Sequence, residues 1–175
     1  MKQKAVFLDR DGVINIEKNY LHKIGDFEFI PGLFSSLQYL LALDYKLFII
    51  TNQSGIGREY YTQKDFDILT SWMLEELEKY NIKISQVELC PHSPNQECEC
   101  RKPKVQMIDN ILKNHSIDLA NSWLIGDKSS DIKCALNAGI TNTIQVKSGH
   151  AFIEKDSLAQ YVCDSIADIK SIIKK

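Results

Sequence analysis

Two aspartates, Asp9 and Asp11, stand two residues apart in "LDRDGVIN", directly after the apolar run Ala5-Val6-Phe7-Leu8 and just before Gly12. Residues i and i+2 share one side of an extended strand, so both carboxylates could face one site. Asp127, in "GDKSSD", follows another apolar run. Clustered carboxylates repel, and a hard divalent cation relieves the repulsion; Mg2+ uses a few carboxylates and keeps its other positions for water and phosphate. With such an ion in place, Asp9 could attack an anionic phosphorus, while Asp11 protonates the leaving oxygen and then deprotonates the attacking water. Thr51 and Lys102 could serve the phosphoryl oxygens, because phosphoryl transfer is chiefly positioning and electrostatic stabilisation. Taken alone, D-x-D-G could equally be a polar strand end with a solvated turn.

The stretch "CPHSPNQECECRKP" offers a second cluster. Cys90-x-His92 and Cys98-x-Cys100 match a closed tetrahedral Cys3His zinc site, and four protein ligands leave no open position, so a Zn2+ there is structural. Disulfides explain the pattern poorly, since five cysteines leave one unpaired and the expected compartment is reducing. Tying down Cys98 and Cys100 would fix the backbone just before Arg101 and Lys102, two cations otherwise on a basic, solvated turn. Cys134 and Cys163 fall in helix and strand patterns and are expected in the core. His22, His115 and His150 lack ligand spacing and are expected at the surface. Arg58 could reach a second phosphate or simply be exposed.

These residues need elements to carry them. Strand patterns occur at 4–9, 46–51, 84–89, 122–126 and 142–146, with a weaker one near 161–163. Between them, Leu33, Leu37, Leu40 and Leu41 recur at helical spacing, as do Phe66, Leu69, Met73, Leu74 and Leu77. Thr62 with Asp65 and Ser165 with Asp168 resemble capping boxes. Alternating strands and helices predict a doubly wound α/β domain on a parallel sheet, spanning 1–175 as one unit. In that architecture ligands bind beyond the carboxyl ends of the strands, where Asp9, Thr51, Cys90 and Asp127 are predicted to lie. The connections leave no room for a separate cap domain, so the site should be open, walled by the 17–28, 53–61 and zinc loops.

Composition narrows the function. The chain has 175 residues, 44% hydrophobic and 25% charged, with a net charge of −2. No overall field favours nucleic acid or an anionic membrane, so phosphate handling must be local. No apolar stretch approaches the roughly 20 residues of a membrane span, and no signal-like segment opens the chain. A cytoplasmic protein acting as a monomer is expected.

"FLDRDGVIN", "TNQSGIGR", "CRKP" and "GDKSSD" together resemble the four motifs of the haloacid dehalogenase-like phosphatases, in order along residues 7 to 131. Within them the chain is most similar to the heptose bisphosphate phosphatase branch, which adjoins the histidinol-phosphate phosphatases. The resemblance implies Asp9 as nucleophile, Asp11 as general acid and base, and Thr51 and Lys102 as phosphoryl stabilisers. It implies Mg2+ held by Asp9, the Asp11 carbonyl and Asp127. Glu17, Lys18, Asn19, Tyr20, Asn52, Gln53, Ser54 and Lys128 would face a phosphorylated sugar, and Asp131 would meet metal-bound water or cap its helix. Arg101 is the expected reader of a second phosphate, because its fork can grip one through two hydrogen bonds. Related phosphatases carry the C-x-H and C-x-C loop with more residues in the middle.

A receiver-like signalling domain would also join a phosphoaccepting Asp to Mg2+, Thr and Lys. Its acceptor lies on a middle strand with no acid at i+2, so Asp11 argues for turnover. A zinc-stabilised binding module would leave Asp9, Thr51 and Asp127 unexplained. A polynucleotide substrate is disfavoured by the lack of a basic stripe with interleaved aromatics.

Overall fold

The apolar runs become six parallel strands in the computed structural model, which describes residues 2–174. They are β1 (Ala5–Leu8), β2 (Lys46–Asn52), β3 (Ile84–Cys90), β4 (Trp123–Gly126), β5 (Asn142–Val146) and β6 (Tyr161–Cys163). Each lies within a residue of its predicted range. The sheet order is β3-β2-β1-β4-β5-β6. Strand β1 is fully buried and pairs with β2 on one side and β4 on the other.

The period of two along β1 divides the core. Val6 and Leu8 join the layer of α1 (Leu33–Ala42), α3 (Gln63–Glu78) and α6 (Ile169–Ile172), through Leu37, Leu69, Met73 and Ile169. Ala5 and Phe7 join the opposite layer, with Met107, Ile108 and Ile111 of α4 (Gln106–Asn114) and Cys134 and Ala135 of α5 (Ser129–Asn137). A strand buried on both faces has no polar side to offer, which is why β1 reads as a continuous apolar run. Cys134 is buried in the core as expected, whereas Cys163 is only half-buried and packs against its edge.

Both predicted capping boxes form. The Thr62 hydroxyl accepts from the Asp65 amide at 3.2 Å while Asp65 accepts from the Thr62 amide at 2.8 Å, which starts α3. Ser165 and Asp168 do the same at the chain's last helical turns. Among the described residues, the connection from β1 to β2 carries one 3-10 turn (Ile24–Asp26) and α1, and that from β2 to β3 carries α2 (Ser54–Gly57) and α3. Neither builds a cap, so the carboxyl ends of the strands stay open. The connections leave β1 and β4 toward opposite sides of the sheet, and the resulting crevice holds the site.

Candidate active site

Lys102 is 3% exposed; its Nζ donates to Asp9 Oδ1 at 2.9 Å and to the Ile50 carbonyl at 2.8 Å, and it forms an ion pair with Asp131 Oδ1 at 2.6 Å. Its backbone is held as well, because the Lys102 amide donates to Asn52 Oδ1 at 3.1 Å and Asn52 Nδ2 reaches the Lys102 carbonyl at 3.4 Å. Asn52 at the end of β2 therefore positions this lysine directly, beside whatever the cysteine loop contributes. Burial alone would lower the Lys102 pKa, but Asp131 and Asp9 outweigh it and hold the ammonium charged. Burial pushes Asp9 well above the ordinary carboxylate range; Lys102 opposes this, and Asp131, Asp127 and Asp11 reinforce it.

Asp9 and Asp11 do line one cavity, but by a turn rather than by extended alternation. Strand β1 ends at Leu8, and the amides of Val13, Ile14 and Asn15 all donate to the Arg10 carbonyl. The turn sends the Arg10 side chain inward, 2% exposed, where it grips Asp11 through Nη2 at 2.9 and 3.1 Å. Asn15 Nδ2 and Gln53 Nε2 each add a bond to Asp11 at 2.9 Å. Burial would raise the Asp11 carboxyl, yet Arg10, Asn15 and Gln53 together bring it below its usual value. Two acids two residues apart thus carry opposite shifts, set by their neighbours.

Asp9, Asp127 and Asp131 offer carboxylate oxygens that all lie within 4.8 Å of one another. Asp127 Oδ1 is buried with no hydrogen-bond partner, while its Oδ2 accepts from both the main-chain nitrogen and Nδ1 of His150, each at 2.7 Å. The expectation that His150 is a plain surface residue is therefore corrected: the loop after β5 folds over Asp127, a contact that sequence spacing does not encode. His22 instead stacks on Tyr61 and His115 packs against Phe48. Asp131 caps α5 by accepting from the Lys128 amide at 2.9 Å, and it also pairs with Lys102. The side chain of Asp11 is engaged elsewhere, so a role for it at a cation falls to its carbonyl.

The cavity, of about 150 Å³, is lined by Asp9, Asp11, Glu17, Asn19, Tyr20, Asn52, Gln53, Ser54, Lys102 and Lys128 from the predicted set, with Asp131. Thr51 is buried just behind, where Gln53 Nε2 donates to its hydroxyl at 2.8 Å. Lys18 is directed away: its Nζ pairs with Glu28 and donates to the Asp26 carbonyl at 2.8 Å. Arg101 is not in the lining either, and its Nη1 donates to the His92 carbonyl at 3.2 Å. Arg58 is exposed and outside the lining. The 53–61 segment walls the cavity as expected, but of the 17–28 loop only Glu17, Asn19 and Tyr20 do; the third wall is the 128–131 turn with His150, and the cysteine loop supplies only Lys102 at its end. Sequence reasoning also missed Arg10, Asn15 and Tyr61. Burial pushes the Tyr61 hydroxyl up to about 12, so it stays protonated and donates to Gln53 Oε1. Arg10 sits inside the first motif, and a cation between two acids was the available signal.

The lining sets four carboxylates against Lys102 and Lys128 among the described residues, and a phosphate dianion would meet net repulsion there. A hard cation on the orphaned Asp127 oxygen answers that imbalance, and an all-oxygen donor set suits Mg2+. The second cluster, Cys90, His92, Cys98 and Cys100, also has its ligand atoms within 4.8 Å of one another. Cys90 Sγ lies 3.7 Å from Cys98 Sγ and 3.6 Å from His92 Nδ1. Tetrahedral ligands about 2.3 Å from zinc stand about 3.8 Å apart, so these edges fit, although Cys90 and Cys100 are closer at 2.8 Å.

A family model described as HAD-hydrolase-like matches residues 99–169. The chain is 51% identical over 146 residues to a D-glycero-alpha-D-manno-heptose-1,7-bisphosphate 7-phosphatase of Campylobacter jejuni, covering 83% of this chain and 84% of that protein. The chain belongs to this family of HAD-like phosphatases. It is a phosphoric monoester hydrolase. A D-glycero-beta-D-manno-heptose-1,7-bisphosphate 7-phosphatase of Helicobacter pylori is 45% identical over 157 residues, covering 86% of the phosphatase described here and 91% of the relative. The crystal structure of a D,D-heptose 1,7-bisphosphate phosphatase from B. bronchiseptica, complexed with magnesium and phosphate, superposes with a TM-score of 0.83 at 27% identity, covering 97% of each chain.

Proposed function

We propose that this enzyme removes the C7 phosphate of D-glycero-D-manno-heptose 1,7-bisphosphate through an aspartyl-phosphate on Asp9. The observation that carries the reading is Asp9 itself, held at the cavity floor by Lys102 with Asp11 beside it. The Arg10 amide and Lys102 Nζ both donate to Asp9 Oδ1, which leaves Oδ2 to form the bond to phosphorus. Mg2+, held by Asp9, the Asp11 carbonyl and Asp127, would neutralise the crowded carboxylates and the phosphate and keep Asp9 ionised. Gln53 fixes the Thr51 oxygen as an acceptor, so the Thr51 hydrogen is free for a phosphoryl oxygen.

Asp11 then handles the proton. Arg10 keeps it ionised while the site is empty of substrate; the arriving dianion raises its proton affinity, so it takes up a proton from solvent as substrate binds and passes it to the leaving oxygen. Deprotonated again, it accepts the proton of the water that attacks the aspartyl-phosphate. Lys128 is the lining cation with no carboxylate partner among the described residues, and we assign it the second phosphate. Arg101, adjacent to Lys102, can join it once its bond to the His92 carbonyl opens. Binding energy from that remote group helps position the reacting end.

Zn2+ on Cys90, His92, Cys98 and Cys100 would be structural. We further propose one domain over 1–175, acting as a cytoplasmic monomer; no helix among the described residues is long and apolar enough to cross a membrane, and all five cysteines are free. The testing experiment compares both anomers of the heptose bisphosphate, histidinol phosphate and a small aryl phosphate with Mg2+ present. A heptose bisphosphate should have the highest kcat/KM, and phosphate should leave C7. Faster turnover of histidinol phosphate would overturn the substrate assignment. Lys128→Ala and Arg101→Ala should harm the bisphosphate by about 2 kcal/mol more than the aryl phosphate, within the range for hydrogen bonds to charged groups.

A further inference from the structure

We propose that Ser148-Gly149-His150, following β5, is a strap that binds one oxygen of Asp127 and presents the other to Mg2+, with His150 as the positioning residue. The proposal rests on the Mg2+ reading above. Asp127 is 1% exposed, and its two oxygens differ completely. Oδ2 takes two donors from His150, the main-chain nitrogen and the ring Nδ1, both at 2.7 Å. A carboxylate oxygen only accepts, so Nδ1 carries the hydrogen. Oδ1 is buried and takes none. An ionised oxygen left bare in the interior is costly, and it persists only where a ligand compensates it.

The strap is built to come this close. The Ser148 hydroxyl donates to the Gly12 carbonyl at 2.6 Å, which ties the loop to the turn carrying Asp11. A Cβ on Gly149 would stand 2.1 Å from Asp127 Oδ2, and one on Gly12 would stand 2.7 Å from the Gly149 Cα, so the two glycines let three backbone segments meet. On its far side, the Lys147 amide donates to the Cys163 carbonyl at 3.0 Å, which anchors the strap to β6. His150 also lines the cavity, together with Asp9 and Asp131. With Oδ2 saturated, the Asp127 carboxylate cannot rotate freely, and Oδ1 is the oxygen that remains for the ion.

The test is calorimetric titration of Mg2+ into the zinc-intact, Mg2+-free protein, without substrate. His150→Ala should weaken Mg2+ binding about tenfold, as expected for losing one hydrogen bond to a charged group. His150→Asn, whose amide can donate where Nδ1 does, should recover part of that loss. Unchanged or tighter Mg2+ binding in His150→Ala would overturn the strap, the tighter case because the ring would then occupy the ion's place. A loss that asparagine does not relieve would overturn the hydrogen-bond role. If the unmodified protein binds no Mg2+, the cation reading fails and the strap with it; if only the His150→Ala comparison fails, the strap alone is wrong.

Discussion

Asp9, the pair Asp127 and Asp131, and Lys102 follow three different strands and meet only because the sheet is parallel, whereas Cys90, His92, Cys98 and Cys100 lie within one short stretch of chain. The carboxylates are buried and already partly paired with a built-in cation. Three of the four residues in the thiol group are only partly buried. The contrast separates two kinds of site. One is assembled by the folded core, and a metal there would serve chemistry; the other is local, and a metal there would substitute for a core that the loop lacks.

Single substitutions at the carboxylate end should have the largest effects. Asp9→Asn should abolish phosphoenzyme formation and lower turnover by about 10⁴-fold, or about 5.5 kcal/mol of barrier, whereas Asp11→Asn should still trap phosphate slowly from a good leaving group. Rapid-quench measurements distinguish them, and full activity in Asp9→Asn would end the covalent reading. Next comes Lys102→Met, which strands Asp9 and Asp131 as buried, unpaired carboxylates. A loss of about 3–5 kcal/mol in urea unfolding is expected, as for breaking a buried pair from one side.

Zinc removal should do less. Purified protein is expected to hold near one equivalent of zinc, and chelation with Mg2+ replenished should loosen residues 91–100 in hydrogen exchange while the strands stay protected. Activity should fall only in part, because Asn52 holds Lys102 independently of the thiols. Metal analysis showing no zinc alongside full activity would refute the structural site. The smallest effect concerns Asp11 in the Mg2+-free protein. Its folded pKa is depressed, so its contribution to stability is present above the ordinary carboxylate value of about 3.9 and disappears as pH falls through the lower folded value. Asp11→Asn should therefore cost stability at pH 7 and progressively less in the acid range; a deficit independent of pH would show that Arg10 is not what Asp11 provides for.

Much of this molecule was legible without coordinates. Short apolar runs placed all six strands, helical spacing placed α1 and α3, and capping chemistry placed the start of α3 at Thr62. The Cys-x-His and Cys-x-Cys spacing named a ligand set that needs only a turn to close. Chemistry-bearing residue types after apolar runs marked Asp9, Asp11, Thr51, Cys90 and Asp127, since a parallel sheet brings every such end to one edge.

What the sequence alone determined was thus the carriers and the chemical types at their ends, because local periodicity and short spacing are properties of the chain itself. Only the tertiary structure decided who pairs with whom. It gave Lys102 to both Asp9 and Asp131, Arg10 to Asp11, and His150 to Asp127, and it directed Lys18 and Arg101 away from the cavity. Those outcomes depend on side-chain direction in aperiodic loops and on contacts between distant segments. A residue's type sets what it can bind; its partner is set by what the fold leaves within about 3 Å of it.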